Sequence, residues 1–527
     1  MKYVTAEALK PQLTDGGEIA LLDVREHGQY GEGHPFFSVN LPYSRLEALA
    51  EALLPCRAVR CVVFDDGDGV AEKAARALEE MGYTGVHILA GGAPAWTAAG
   101  YTLFKGVNLP SKTFGELVEH ERGTRSIAAE ELKAMLEAGD PVTILDGRSP
   151  KEFHKMSLPG ARSCPNAELA YRLPQMVADD TTPIVVNCAG RTRSIIGAQT
   201  LRELGVANPV FALRNGTQGW RLAGFELDRG KAPGRLPTLA PDQLAETARE
   251  AERLIAELGL PTVDPETLES WLADPTRSTY LLDVRTAEEF AEAHLPGARS
   301  APGGQLVQAT DEKVAVRNAR IVLTDDTQLR AATTAMWLTG MGHQVWILKA
   351  DASRGSARGA EAAPTGAEDS IALSDIPSRL AAGAVLLDAS RSFDYRDSHI
   401  EGARWATRAR LEGLGLPADA EVIVTGRDSV LIAGVAQDLR GQGHGRVDTV
   451  AGTPDTWQAA GLNVVATPEV PSDADCIDFL FFVHDRHDGN LEAARRYLAW
   501  ELGLLAQIDD QERSVLRPEL LKRKERV

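Results

Sequence analysis

Short apolar runs that end in a charged residue recur along this chain. Leu21-Leu22-Asp23-Val24-Arg25, Ile144-Leu145-Asp146-Gly147-Arg148, Leu281-Leu282-Asp283-Val284-Arg285 and Leu386-Leu387-Asp388-Ala389-Ser390 each put an Asp directly after a strand-like stretch. In the first three, an Arg stands two residues past the Asp, close enough to pair with it and pin the strand end to the next loop. A second apolar run follows each Asp and ends at Asp65, Cys188 and Asp325, 42 residues on in the first three repeats, and at Gly426, 38 residues on in the fourth. After each comes a loop, a helical pattern and a further β-rich run such as Val86-His87-Ile88-Leu89 or Val345-Trp346-Ile347-Leu348. Strand and helix patterns alternating at this spacing predict small α/β domains with parallel sheets, repeated four times.

Turn residues punctuate the repeats. Leu158-Pro159-Gly160-Ala161-Arg162, Leu295-Pro296-Gly297-Ala298-Arg299 and Ile400-Glu401-Gly402-Ala403-Arg404 are near copies, with only a degenerate version near His34-Pro35-Phe36. Gly-rich turns lead to Trp96, Trp220 and Trp457, and each predicts a short helix with its Trp on the core face. The third repeat lacks this closing segment. The predicted domains are 1–106, 126–228, 262–350 and 369–466, followed by a tail over 467–527. Val107 to Arg125 and Asp228 to Pro261 join successive repeats, the latter with a helix from Pro241 to Leu258. Asp351 to Glu368, rich in Ala, Gly, Ser and Arg, predicts a flexible linker. In the tail, Phe479-Leu480-Phe481-Phe482-Val483 predicts a strand or buried segment, and Leu491 to Leu505 an amphipathic helix that packs on a domain through Tyr497, Leu498, Trp500 and Leu504. His484 and His487 flank Asp485 and Asp488, but no further ligands follow at helical spacing, so the segment reads as a polar loop.

A length of 527 residues is too great for one core, and 44% hydrophobic with 25% charged residues is ordinary for a globular protein. The formal net charge of −19 argues against nucleic-acid and anionic-membrane partners. Five cysteines, odd in number and widely spread, show no zinc-ligand spacing and suit a reducing cytoplasm. The first residues form no apolar signal core, and no apolar stretch of membrane-spanning length occurs. No metal or cofactor is expected.

Against this acidic background one loop stands out: Cys188-Ala189-Gly190-Arg191-Thr192-Arg193-Ser194, between the run Ile184 to Asn187 and a helical pattern opening at Ser194. A thiol at a strand–loop–helix turn lies where backbone N–H groups and a helix N-terminus converge, a setting that stabilises anions and predicts a lowered thiol pKa. The bland alternative is a buried structural cysteine at a strand end. Cysteine phosphatases place an arginine six residues after the nucleophile. Here Arg193 is five residues after Cys188 and Ser194 is sixth, so the loop is one residue short.

The Asp-x-Arg strand, the Pro-Gly-Ala turn, the cysteine loop and the Gly-to-Trp closing turn together resemble tandem domains of the rhodanese family of sulfurtransferases, over residues 1 to about 466. The resemblance implies that Cys188 takes sulfur from an anionic donor such as thiosulfate, holds it as a persulfide and passes it to cyanide or a thiol. It further implies that the amides of Ala189, Gly190, Arg191, Thr192, Arg193 and Ser194 cradle the persulfide, that Arg191 and Arg193 hold the donor or clamp the loop, and that Asp146 and Arg148 form a structural pair beneath it. Asp65, Asp325 and Gly426 stand at the cysteine position of the other repeats, which are therefore expected to transfer no sulfur. Arg330 aligns with Arg193 and Cys164 reads as a packed thiol. Three alternatives stay open: a persulfide carrier or scaffold loaded by a protein partner, a 3-mercaptopyruvate sulfurtransferase, whose loop usually lacks arginines, and a phosphatase or arsenate reductase, disfavoured by the short loop.

Overall fold

The computed structural model describes residues 1–484 and 490–521. Within them the chain folds into four parallel sheets, one per sequence repeat. The second sheet runs Ser126–Ile127, Val210–Leu213, Ile184–Asn187, Thr143–Asp146, Arg162–Ser163. The first (Tyr3–Val4, Val86–Leu89, Arg60–Phe64, Ile19–Asp23, Val39–Asn40) and third (Thr262–Val263, Gln344–Asp351, Arg320–Asp325, Thr279–Asp283, Arg299–Ser300) repeat this order. The fourth has the strands Arg404–Trp405, Val385–Asp388, Val422–Gly426 and Val447–Ala451 in the same succession, without the outer edge strand. Asp369 and Ser370 cover that edge instead: Ser370 N donates to Thr449 O at 2.8 Å and Asp369 Oδ1 accepts from Ala451 N at 2.7 Å.

In the first three repeats the strand that ends in the repeated Asp is fastened in the same way. Arg148 Nε and Nη2 donate to the two carboxylate oxygens of Asp146 at 2.8 and 2.7 Å, and Nη2 also reaches Met156 O at 2.6 Å. Arg25 and Arg285 repeat this on Asp23 and Asp283 and on the carbonyls of Gly33 and Ala293. These pairs are buried, and their hydrogen bonds offset the cost of taking both charges out of water. The fourth repeat has Ser390 at the Arg position. There Arg427, from the neighbouring strand's loop, sends Nη2 to Ser398 O at 2.9 Å, so a guanidinium still holds the turn.

Packing welds the first three units together. Leu22, Val63, Leu145, Val186, Leu282 and Leu323 belong to one continuous buried cluster. The linker helix Leu109–Arg122 runs through it, with Phe114 against Trp337 at 6.2 Å between ring centroids. Trp337 in turn donates from Nε1 to Thr200 Oγ1 of the second unit at 2.8 Å. The fourth unit has two cores of its own and docks on the first through Arg408, which lies 4.1 Å from the Tyr43 ring centroid and pairs with Glu47 and Asp438. Trp96, Trp220 and Trp457 are buried on the short helices Gly92–Ala98, Gly216–Leu222 and Pro454–Ala459, and the helix Pro241–Leu258 forms between the second and third units.

One expectation changes, and one open alternative is decided. Residues 351–368 are anchored rather than loose: His294 and Ala357 exchange backbone hydrogen bonds, Arg299 pairs with Glu361, and Gly366 sits against Ser429. Phe479 to Val483 forms no strand. Phe481–His484 is a helical turn, Leu480 is buried against Gly31, and Phe479 stacks on Phe393 at 3.7 Å, so aromatic packing satisfies the run without a ladder. The tail helix extends over Leu491–Leu502 and packs on the linker helix. His487, Asp485 and Asp488 lie outside the described residues. Among those described, no helix is long and apolar enough to cross a membrane.

Removing Arg285 strands the Asp283 carboxylate in the core of the third unit. Arg285→Ala is expected to cost about 3–5 kcal/mol in urea unfolding. Asp283→Ala added to it should recover part of the loss, and a purely additive double variant would contradict the pairing.

Candidate active site

The strand Ile184–Asn187 lies in the middle of its sheet, so all four residues are buried and the chain leaves it at the carboxyl end of a parallel array. Asn187 ties that end down: its Nδ2 donates to Asp146 Oδ2 at 2.9 Å, and its carbonyl accepts from Gly147 N at 2.9 Å. Cys188 comes next and is 2% exposed. The helix Thr192–Glu203 starts four residues later.

Between them the loop turns its carbonyls outward. Cys188 O accepts from Thr217 N at 2.8 Å, Ala189 O from Gln218 N at 3.2 Å, and Arg193 O from Asn166 Nδ2 at 2.8 Å. Gly216 makes this possible: it has φ +54°, and a Cβ there would lie 2.2 Å from Cys188 O. Turning the carbonyls out turns the amides in. Among the described residues, the amides of Ala189, Gly190 and Arg191 meet no acceptor. The Ser194 hydroxyl donates to Arg191 O at 2.7 Å, and Ser194 lies close enough to the Cys188 sulfur to favour its thiolate.

The other repeats show what such a loop holds. Asp65 Oδ1 accepts from Gly67 N at 2.9 Å, and Oδ2 from Gly69 N at 3.0 Å and Ala71 N at 2.9 Å. Asp325 does the same with the amides of Gln328, Arg330 and Ala331 at 2.5, 2.8 and 3.2 Å. The last donor is the sixth residue after the Asp in both, and Ser194 stands sixth after Cys188. Two copies of the loop are thus filled by their own carboxylates, and the Cys188 copy presents a thiol. In the fourth repeat Gly426 brings no side chain, and Ser390 Oγ accepts from Arg427 N at 3.1 Å.

Both loop arginines are engaged. Arg191 forks onto Glu116 at 2.6 and 2.8 Å, touches Glu119, and reaches Asn215 Oδ1 at 3.3 Å. Burial pushes Glu116 up to about 7 against the pull of Arg191. Arg193 forks onto Glu152 at 2.7 Å on both nitrogens and touches Gln305 of the third unit at 3.2 Å. Burial works against ionisation of Glu152, yet Arg193, Arg148 and Ser149 hold it down at about 2. In the third repeat, where there is no thiol, Arg330 reaches the corresponding Glu289 through Nη1 alone and also pairs with Glu168 and Asp326. Cys164 is fully buried behind the strand Thr143–Asp146, and desolvation pushes its thiol far up.

The thiol of Cys188 departs from the expectation of a lowered pKa. Burial pushes it up, Arg193 and Ser194 oppose this, and Glu501 adds to it. The sulfur is deeper than a loop position suggests, because a cavity of about 210 Å³ in front of it is walled from several sides. Gln305 and Gln308 of the third unit, Lys112 of the linker helix, and Tyr497 and Glu501 of the tail helix all line it. Thr192 Oγ1 donates to Glu501 Oε1 at 3.2 Å.

Glu116, Glu152, Gln218, Gln305 and Glu501 do not follow from the Cys188 motif. Two carried a signal. Glu152 closes the Ser-x-x-Glu capping box of Ser149, and Glu501 falls on the inward stripe of the tail helix with Ala494, Tyr497 and Leu498.

The family model described as rhodanese-like domain matches residues 5–99, 128–223 and 264–353. The crystal structure of a thiosulfate sulfurtransferase from Pseudomonas aeruginosa is 40% identical, with TM-score 0.90, over 98% of this chain and 99% of that one. The rhodanese-like domain of the Alr3790 protein from Anabaena sp is 26% identical over 20% of this chain and 80% of its own, with TM-score 0.18. A stretch of 111 residues, 21% of this chain, is 35% identical to the HTH-type transcriptional regulator Rv0324 of Mycobacterium tuberculosis, and the chain spans 47% of that protein's length.

Thiolate absorbance in the ultraviolet should place the titration of Cys188 above that of an ordinary cysteine. Arg193→Met, by removing a cation that favours the thiolate, should move it higher still. A downward shift would contradict the electrostatics described here.

Proposed function

The chain belongs to the family of rhodanese-like domain proteins and is a rhodanese-type transferase, and from that premise we propose that it carries sulfane sulfur from thiosulfate, through a persulfide on Cys188, to a nucleophilic acceptor. The observation that carries this reading is the pair of self-filled loops. Where Asp65 and Asp325 hold an anion on inward amides, the same loop in the second repeat offers sulfur instead.

In this reading the Cys188 thiolate attacks the outer sulfur of thiosulfate. A new S–S bond forms at Cys188, the S–S bond of thiosulfate breaks, and sulfite leaves with the electron pair. The remaining negative charge sits on the outer persulfide sulfur, where the amides of Ala189 to Ser194 stabilise it as an oxyanion hole does. Burial keeps the resting thiol protonated, Arg193 and the inward amides favour the thiolate that attacks, and the thiol proton leaves with sulfite as hydrogen sulfite. Arg191 acts as a clamp on the loop, since Glu116, Glu119 and Asn215 occupy its guanidinium. Arg193 supplies positive potential from its place on Glu152. Asp146 and Arg148 hold the strand end beneath.

We read 369–466 as a further rhodanese-like unit, because its strand order repeats that of the others and Arg427 replaces the missing turn arginine. Units one, three and four transfer no sulfur, and the third walls the cavity. The cavity suits a small inorganic donor. The similar Pseudomonas aeruginosa protein is a thiosulfate sulfurtransferase, which favours thiosulfate over mercaptopyruvate as that donor. Five free, buried cysteines fit a reducing cytoplasm.

Brief incubation with thiosulfate should add one sulfur, about 32 Da, to the intact protein as a covalent intermediate, and Cys188→Ala should add none. A wild-type protein that stays at its starting mass would overturn the reading.

A further inference from the structure

Glu501 is a carboxylate with an unspent oxygen. It is 2% exposed, yet it comes from the tail helix Leu491–Leu502, more than three hundred residues from the loop it faces. Oε1 accepts the Thr192 hydroxyl. Oε2 is fully buried and meets no donor. It is aimed at the loop: a Cβ on Gly190 would lie 3.1 Å from it, which leaves the loop little room for a side chain at that position. Gln218 stands beside it, with Nε2 3.6 Å from the same point, and neither atom of the Gln218 amide has a partner among the described residues.

A buried acceptor with no donor is costly unless a ligand completes it. The charged groups around it do not. Arg191 is committed to Glu116, Glu119 and Asn215, Arg193 to Glu152 and Gln305, and Lys112 donates to Val107 O beneath the rings of Tyr497 and Trp500. The other carboxylates of the cavity are also accounted for. Glu152 is spent on Arg193, and Glu312 lies at the solvent side. Glu501 and Cys188 therefore share one small cavity, in which Oε2 is the buried base left open.

On the reading that Cys188 carries a persulfide, we infer that Glu501 is the base that takes the proton from an incoming thiol acceptor. A thiol is a poor nucleophile until it loses its hydrogen. As its S–H bond breaks, the proton passes to Glu501 Oε2. The thiolate forms an S–S bond to the outer persulfide sulfur, and the bond from that sulfur to Cys188 Sγ breaks with its electron pair on Sγ. The new persulfide leaves as an anion, and Glu501 returns the proton to the Cys188 thiolate. The charge and hydrogen count are unchanged, and no further reactant is needed. The acceptor class is a small thiol, because a thiol brings the proton that a carboxylate in this position can take.

The test separates loading from discharge. Full-length protein is loaded with thiosulfate and its mass checked, then mixed rapidly with either 2-mercaptoethanol or sulfite at alkaline pH, and loss of the added sulfur is followed by mass. Sulfite attacks through a lone pair and has no proton to give up. Glu501→Gln keeps the bond to Thr192 but is no base. It should slow discharge to the thiol by roughly one hundredfold relative to discharge to sulfite, and Glu501→Asp should regain part of that ratio. Equal slowing with both acceptors, or no slowing with the thiol, overturns the proposal. Failure of the wild-type protein to load is visible before any acceptor is added, and it overturns the persulfide reading along with this one.

Discussion

A loop that leaves the middle of a parallel sheet and turns at once into a helix must face its amides somewhere. Here the carbonyls are pulled outward onto Thr217, Gln218 and Asn166, and the amides converge on the first side chain after the strand. Such a nest has to hold negative charge or leave donors unpaired. Much of the architecture serves that constraint. The Asp146–Arg148 pair fixes the strand end, Gly216 lets the outer segment approach within hydrogen-bond range, and Arg191 and Arg193 brace the two ends of the turn against Glu116 and Glu152. Three repeats answer the same demand with different atoms, two with an aspartate and one with sulfur.

That difference separates loops filled by their own side chain from an open one within one chain. An aspartate fills its loop permanently, and its unit is left to contribute surface. The third unit lends the helix Gly303–Gln308 to the wall in front of Cys188, and the tail adds Tyr497 and Glu501. The thiol faces a pocket walled by the linker helix, the third unit and the tail, and its burial is a property of the assembly rather than of its own repeat.

The parts of this arrangement that were legible in the sequence are the local and the repeated ones. The Asp-x-Arg pairs, the strands ending at Asp65, Cys188, Asp325 and Gly426, the buried tryptophans and the helix Pro241–Leu258 all depend on residues a few places apart. What stayed hidden depends on distance. The partner of Arg191 lies 75 residues away in a linker helix, and Glu501 lies 309 residues from Thr192. The upward shift of the Cys188 thiol was invisible for the same reason, since the loop shows its donors but not the walls that exclude water. Phe479 to Val483 left strand and buried segment undecided because aromatic residues favour strands as readily as they favour the stacking they find on Phe393.

The repeats invite a picture of beads on a string, and the continuous core through the first three units denies it. Residues from all three share one apolar interior with the linker helix, beside smaller cores on the other faces of the second and third sheets, whereas the buried cores of the fourth lie wholly within it. The repeated segment is a unit of sequence and of sheet, but part of its apolar surface is completed only by its neighbours. Cutting out the cysteine-bearing segment would expose the face it shares with its neighbours, so modularity in the sequence has become cooperativity in the molecule.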